Sequence, residues 1–173
     1  MSKSVEIELT FLATSIPIEI YKVKPVRIKD TYIPENHDFS PLRLRKTDDK
    51  YELTRKMPVK KGDYSKHNEH TIPLEEIVYL DISRLSKKSV VKDRYSVVIN
   101  KYNAQVDVFQ ENLSGLVLIE FEFSSIRKMH EFKKPQCCLV DVTQDRTILG
   151  GQLAGKSYDD ISSWLDKKGY IKL

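Results

Sequence analysis

Strict alternation of apolar and polar residues is the feature that most constrains the fold of this 173-residue chain. In Val5–Phe11 the odd positions are all apolar, and Glu6, Glu8 and Thr10 fall between them. Because successive side chains of a β-strand point to opposite faces, the two sets lie on opposite faces of the strand. The segment is therefore predicted to be a strand with one apolar face and one acidic face.

Four further segments carry a similar polar pair on one face. In Val117–Phe123 the pair is Glu120 and Glu122, opposite apolar odd positions. The other pairs are Arg43 and Arg45, Lys92 and Arg94, and Asp141 and Thr143. Taken singly, each pair fits the solvated face of a half-buried antiparallel sheet. Taken together they fit it less well, because two like charges about 6 Å apart repel by about 2.8 kcal/mol at an effective dielectric of about 20 unless a counter-charge or ligand neutralises them.

The chemistry that uses such segregated charges is phosphoryl transfer. Clustered arginine and lysine side chains neutralise phosphate oxygens, and clustered carboxylates hold hard divalent cations through oxygen ligands. A carboxylate set that faces a basic set in one cavity is the outline of a metal-assisted triphosphate site.

Short alternating runs, separated by polar or Gly/Pro-containing breaks, predict a mainly β fold with about eight strands. The predicted strands are Ser4–Leu12, Val23–Tyr32, Leu42–Thr47, Tyr51–Pro58, Glu69–Ile72, Val91–Ile99, Gln105–Gln110 with Gly115–Ser124, and Cys138–Thr143. Asp48-Asp49 and Glu111–Ser114 are typical of tight connections between neighbouring strands. The sheet is therefore predicted to be mainly antiparallel.

Three segments have helical patterns instead. Pro73, at a first helical position, opens one of them, and Ser125–Phe132 is a second, short one. Ser157-Tyr-Asp-Asp160 resembles a capping box before the third, which Gly169 ends. Pro34–Pro41 is predicted to be a polar loop.

Length and composition predict one domain over residues 1–173, since 40% apolar residues suffice for a single core without staples. Cys137 and Cys138 are adjacent, a spacing too strained for a framework disulfide, and no apolar run approaches the length of a membrane span. A cytoplasmic protein is therefore expected. Basic and acidic residues nearly balance at 29 and 25, and aromatic residues do not interleave with the basic runs, so nucleic acid is not a predicted partner.

Seven sequence motifs, in this order, extend along nearly the whole chain. They are Glu6-Ile-Glu8, Leu42-Arg-Leu-Arg45, Tyr51-Glu-Leu-Thr-Arg-Lys56 with Glu69 after it, Lys92-Asp-Arg94-Tyr95, Val106-Asp-Val-Phe109, Gly115–Phe123 and Asp141-Val-Thr143. Each is weak alone, but the set and its order resemble the CYTH (triphosphate tunnel) superfamily. That superfamily contains inorganic and thiamine triphosphatases, class IV adenylyl cyclases and RNA triphosphatases.

The resemblance implies a β-dominated α+β fold, an eight-stranded antiparallel β-barrel around a polar tunnel with flanking helices. The phosphate-binding residues that it implies are Arg43, Arg45, Lys56, Lys92 and Arg94. The cofactor that it implies is Mg²⁺ or Mn²⁺, held by Glu6, Glu8, Glu69, Glu120, Glu122 and Asp141. The catalytic residues that it implies are Glu6, Glu8 and Lys56.

Two positions depart from the superfamily pattern. Thr10, a neutral hydroxyl, stands where the ExExK signature has its lysine. Asp141 stands where glutamate is usual, which shortens the side chain by one methylene. The loss of the signature lysine makes turnover less secure than the formation of the tunnel.

The expected function is metal-dependent hydrolysis of a small triphosphate, either inorganic tripolyphosphate or an organic or nucleoside triphosphate. A class IV-type adenylyl cyclase is one alternative. A non-catalytic triphosphate- or polyphosphate-binding protein, suggested by Thr10, is the other. An RNA 5′-triphosphate end as substrate and a homodimer also stay open.

Two further patterns favour structural interpretations. Gly150–Ser157 matches the P-loop pattern G-x₄-G-K-[ST], but only 16 residues follow it, too few for a nucleotide-binding α/β domain. It is interpreted as a loop and the cap of the last helix. His67 and His70 suggest a metal pair, but no third ligand motif lies near them in the sequence.

Overall fold

Nine β-strands form the framework of the chain in a computed structural model that describes residues 2–36, 40 and 42–173. Their bounds are β1 Ser2–Ala13, β2 Val26–Ile33, β3 Leu42–Thr47, β4 Lys50–Pro58, β5 Lys66–Leu74, β6 Ser89–Ile99, β7 Tyr102–Phe109, β8 Val117–Glu122 and β9 Cys138–Asp141. Positions 37–39 and 41 of the predicted loop Pro34–Pro41 lie outside the described residues.

Eight of these strands close into a barrel. They are hydrogen-bonded in the order β5-β4-β3-β2-β6-β7-β8-β1, and β5 pairs back onto β1, with His67 opposite Glu6. Strand β9 pairs with Phe11–Ala13, beyond the part of β1 that β5 covers. All the pairings are antiparallel, so the predicted eight-stranded antiparallel barrel is confirmed.

The helices are short and lie outside the barrel wall or at one of its ends. The α-helices in the described part of the chain are α1 Glu76–Ser83, α2 Ile126–His130, α3 Gly150–Leu153 and α4 Tyr158–Lys167. Single 3₁₀ turns cover Ile18–Lys22, Glu111–Leu113 and Arg146–Ile148. Among the described residues, no helix has both the length and the apolar character needed to cross a membrane.

The predicted helix starts are partly right. Ser157 and Asp160 form the predicted capping box of α4: the Asp160 backbone N–H donates to the Ser157 hydroxyl, and the Ser157 N–H donates to the Asp160 carboxylate at 2.7 Å. Pro73 does not open a helix. It lies in β5, which pairs with β4 as far as Leu74, so α1 begins only at Glu76.

The outward faces of the strands are apolar, as the alternation predicts. Phe11, Ile119 and Phe121 are almost fully buried on the outside of the barrel wall. They pack with Ile20 of the first 3₁₀ turn and with Phe132, which follows α2. On the opposite side of the barrel, α1 covers a second apolar group that is built from Ile33, Leu44, Tyr51 and Tyr79.

A third apolar group, here called the end cluster, covers one end of the barrel. Its members from the strands are Leu12, Tyr32, Val90, Phe109 and Leu118, and its members from the chain after β9 include Ile148, Leu153, Ile161 and Leu165. Along β8 exposure falls from Glu122, which is exposed, through Glu120, at 23%, to Leu118, at 3%. The interior is therefore open at the Glu122 end and covered at the Leu118 end.

The end cluster should depend strongly on α4. Leu165 is fully buried in it, and replacing a buried leucine by alanine typically costs about 2–5 kcal/mol. We expect Leu165→Ala to lower the free energy of unfolding by that amount in urea denaturation. Leu85→Ala is the matched control, since Leu85 is 64% exposed. Equal stability of the two variants would contradict this account of the closed end.

Candidate active site

The barrel encloses a polar cavity of about 320 Å³. Every one of the eight barrel strands contributes side chains to it, because alternate residues of each strand face inward. Ten of the eleven residues predicted to bind phosphate or metal line this cavity: Glu6, Glu8, Arg43, Arg45, Lys56, Glu69, Lys92, Arg94, Glu120 and Glu122. The structure therefore brings both predicted charge sets into one enclosure.

Lys56 joins the two glutamates of β1. Its ammonium lies 2.8 and 2.9 Å from the two carboxylate oxygens of Glu8 and 3.0 Å from Oε2 of Glu6. Burial raises the pKa of Glu8 above its ordinary value in spite of Lys56, whereas in the less buried Glu6 the ammonium outweighs burial and lowers the pKa. Burial alone would lower the pKa of Lys56, but the two carboxylates raise it, so the lysine is a permanent cation.

Lys92 and Arg94 share one fully buried carboxylate, that of Asp107 on β7. Arg94 makes two hydrogen bonds of 2.6 Å with it, and the Lys92 ammonium donates a third. Burial would raise the pKa of Asp107, but these two cations hold it well below its ordinary value. Nη2 of Arg94, one of the two nitrogens that donate to Asp107, also donates to Glu120 Oε2 at 2.7 Å, which ties the basic strand β6 to the acidic strand β8.

Arg43 and Arg45 converge on a second buried carboxylate, Asp30 of β2. Arg45 forms a two-pronged contact with it, at 2.7 Å for both hydrogen bonds. Arg43 is held less tightly, at 3.9 Å from Asp30 and 3.6 Å from Glu69, and its buried Nε has no hydrogen-bond partner. Burial opposes ionisation of Asp30, but both guanidinium groups hold its pKa well below the ordinary value.

Asp30 and Asp107 are buried acids that pair with the predicted phosphate-binding cations, and sequence reasoning did not assign either of them to the site. Each is a single acid in an otherwise uncharged inward row, with Ile28 and Tyr32 beside Asp30, and Gln105 and Phe109 beside Asp107. A search for paired charges passes over such positions. The available signal was an isolated aspartate on the inward parity of a strand, since a buried carboxylate needs cationic partners.

Asp141 is the one predicted site residue that does not reach the cavity. It lies opposite Phe11 in the β1–β9 pairing, and Phe11 faces outward. Its side chain is exposed and accepts hydrogen bonds from the backbone N–H and the hydroxyl of Thr143. Thr143 lines the cavity instead, and its hydroxyl accepts the Thr10 backbone N–H at 2.9 Å.

His67, on β5, is brought into the acidic part of the cavity. Its side chain is only 6% exposed, and its Nδ1 lies 3.4 Å from Glu8 Oε1 without forming a hydrogen bond. Burial, assisted by the charge of Lys56, lowers the pKa of His67 to about 4, so the imidazole is neutral at physiological pH. His70 is not among the residues that line the cavity.

The donor set fits a divalent cation only after rearrangement. In the described part of the chain, no three His, Cys, Asp or Glu side chains already surround one point closely enough to hold a metal ion. Glu6 and Glu8 nevertheless converge on a single cation, the Lys56 ammonium, and carboxylate oxygens are the ligands that Mg²⁺ and Mn²⁺ prefer. His67 Nδ1 adds an unpartnered buried atom beside them. The residues therefore fit a divalent cation if Lys56 moves aside.

The P-loop-like segment forms part of the covered end of the cavity. Gly150 and Gly151 begin α3 and line the cavity, and Ser157 caps α4, as the sequence interpretation predicts. A Cβ at Gly150 would lie 1.9 Å from the Tyr32 hydroxyl oxygen. Glycine is therefore needed for α3 to approach the barrel this closely.

Solved structures of other proteins share this fold. The inorganic triphosphatase NE1496 superposes with a TM-score of 0.64 at 25% identity, over 86% of this chain and 93% of that chain. A putative adenylate cyclase from Bacillus halodurans has a TM-score of 0.55 at 14% identity, over 100% and 94% of the two chains. HpAC1 from Hippeastrum, a putative adenylyl cyclase described as having a dominant triphosphatase activity, has a TM-score of 0.51 at 12% identity, over 95% and 88%. No protein-family profile and no curated protein sequence matches the chain.

Removing the charge of Asp107 should destabilise the barrel strongly. Asp107→Asn leaves the buried Arg94 and Lys92 without their shared counter-charge, and breaking a buried ion pair in this way costs about 3–5 kcal/mol. Urea denaturation at pH 7 measures the loss. Asp93→Asn, on the outward face of β6 and paired with the exposed Arg27, should cost much less.

The stability lost in Asp107→Asn should also depend on pH, and it should become smaller as the pH falls. Because the folded state holds the pKa of Asp107 below its ordinary value of 3.8, its contribution is complete above that value and declines as the pH falls below it. The difference between wild type and Asp107→Asn should therefore shrink in acid. A difference that grows below pH 4 would contradict the ion-pair interpretation.

Proposed function

Because the chain belongs to the CYTH (triphosphate tunnel) superfamily, we propose that it hydrolyses a phosphoanhydride bond of a small triphosphate inside the barrel. The observation that carries the proposal is the convergence of five cationic side chains and six carboxylates on one enclosed cavity. Phosphoryl transfer needs mainly positioning and charge stabilisation, and this cavity supplies fixed charges of both signs.

The charge balance of the lining supports a divalent cofactor. With His67 neutral, the carboxylates outnumber the cations, so a triphosphate entering alone would add negative charge to a lining that is already slightly negative. A bound Mg²⁺ or Mn²⁺ would be held by Glu6, Glu8, Glu120 and Glu122, and it would polarise phosphate oxygens and lower the pKa of a bound water. The Glu69 carboxylate lies 3.6 Å from Nη2 of Arg43, so in this scheme it mainly pairs with that arginine and contributes less to holding the metal.

The arginine and lysine side chains would hold the phosphates. Arg45 and Arg94 are already oriented by two-pronged contacts with Asp30 and Asp107, so little side-chain entropy is lost when a phosphate binds. Arg43 Nε is a buried cationic donor without a hydrogen-bond partner. A phosphate oxygen would satisfy it, which makes Arg43 the clearest single indication of an anion in this cavity.

Lys56 would take over the charge that Thr10 lacks. Its ammonium lies between Glu6 and Glu8, which are four and two residues before Thr10, respectively, on the same face of β1. If Glu6 and Glu8 held a divalent cation, the flexible Lys56 side chain would be free to turn to the triphosphate, where its ammonium would stabilise charge on the leaving phosphate. The neutral Thr10 is in this scheme compatible with catalysis, which favours an enzyme over a non-catalytic binding protein.

The test is phosphate release from tripolyphosphate, ATP and thiamine triphosphate with Mg²⁺ or Mn²⁺. We expect turnover of at least one of them, and a fall of about 100-fold or more in kcat for Glu6→Gln, the size of effect typical of removing one group that stabilises transition-state charge. Glu131→Gln is the control, because Glu131 is an exposed residue outside the barrel that pairs with Arg127.

Other products or no product would overturn the proposal. Cyclic AMP as the main product from ATP would identify a cyclase. Calorimetric binding of tripolyphosphate by the folded protein, without phosphate release under any of these conditions, would identify a binding protein. An unchanged kcat in Glu6→Gln would remove the acidic pair from the mechanism.

A further inference from the structure

Among the histidines that the structure describes, His67 is the one whose surroundings point to a ligand. It lines the cavity, its side chain is more than nine-tenths buried, and its Nδ1 has no hydrogen-bond partner. Buried polar atoms are nearly always partnered, so such an atom calls for an explanation. The strand register places His67 directly opposite Glu6 and next to Glu8, in the acidic part of the cavity and not among the arginines.

The distances around Glu8 suit two donors to one ion. His67 Nδ1 lies 3.4 Å from Glu8 Oε1, and the same oxygen lies 2.8 Å from the Lys56 ammonium. Two donors bound to one metal at about 2.1 Å are about 3.0 Å apart in an octahedral site and about 3.4 Å apart in a tetrahedral one. The imidazole nitrogen and the carboxylate oxygen are thus already spaced as neighbouring ligands, next to the position that a cation occupies now.

We propose that His67 is a nitrogen ligand of the divalent cation held by Glu6 and Glu8, and that it makes this site prefer a first-row transition-metal ion such as Mn²⁺ or Co²⁺ to Mg²⁺. This inference rests on the proposed function, which calls for a divalent cation, and it adds which class of divalent cation the site prefers. Mg²⁺ prefers oxygen ligands and retains its waters, whereas imidazole binds transition-metal ions, with affinity rising from Mn²⁺ to Co²⁺.

The rival interpretation is structural. In it, His67 fills space between Glu8 and the Tyr64 ring, whose centroid lies 6.5 Å from that of the imidazole. A space-filling histidine would affect all divalent ions alike through the shape of the site. A nitrogen ligand would affect them selectively, and this difference separates the two interpretations.

Direct detection uses the wild-type chain with Mn²⁺, alone and with methylenebisphosphonate, which is not hydrolysed. Pulsed electron paramagnetic resonance should show coupling of the Mn²⁺ electron spin to ¹⁴N, and protein labelled with [¹⁵N]histidine should show the ¹⁵N coupling instead. The measurement needs no variant and no turnover. Absence of nitrogen coupling in both conditions, or absence of Mn²⁺ binding in both, overturns the proposal.

Calorimetry of a matched pair of variants measures the selectivity. His67→Gln should weaken Co²⁺ and Mn²⁺ binding by about tenfold or more, since even the loss of outer-shell partners costs about 10–100-fold. Mg²⁺ binding should change much less. His70→Gln, the same change on the same strand outside the cavity lining, should leave all three affinities unchanged.

The outcomes also separate this inference from the proposed function. Equal weakening of all three ions in His67→Gln, or no weakening, rejects His67 as a ligand even if the protein hydrolyses tripolyphosphate. Nitrogen coupling in a protein that releases no phosphate supports the ligand and rejects the hydrolase.

Discussion

Ion pairing inside the barrel is the interaction on which the rest of the structure depends. Asp30 and Asp107 are almost fully buried, and each is held ionised by two cationic side chains from neighbouring strands. A buried charge without a partner is costly, and four inward-facing cations on β3 and β6 would repel one another without these two acids. The barrel can close around a polar interior because its charges are matched across strand pairings.

The ion pairs inside the barrel leave some buried polar atoms of the cavity without hydrogen-bond partners, and a ligand could supply them. Arg43 Nε and His67 Nδ1 are both buried without hydrogen-bond partners, one in the basic part of the cavity and one in the acidic part. Lys56 meanwhile occupies the position between Glu6 and Glu8. In the proposed scheme, an anionic substrate would partner Arg43 Nε, and a metal ion would partner His67 Nδ1 and release Lys56. Substrate binding and cation binding would then be linked through electrostatics alone.

The two ends of the barrel differ in exposure because different residues continue the inward-facing rows. On β1 and β8 these rows change from glutamate to Leu12 and Leu118, where the chain after β9 supplies the end cluster. The close approach of α3 at Gly150 completes that end against Tyr32. A substrate would therefore enter from the side of Glu122, and its phosphates would meet the carboxylates of β1 and β8 first.

The sequence by itself determined which side chains face inward, since parity along a strand is a local property of the backbone. That rule, with the motif order, was enough to predict the barrel and to predict ten side chains that line its cavity. Only the tertiary structure decided how those side chains pair, because cross-strand register joins residues far apart in the chain. It placed Asp141 opposite the outward Phe11, gave Asp30 and Asp107 their cations, and set His67 beside Glu6 and Glu8. No local pattern encodes these contacts, because each depends on where two separate strands meet.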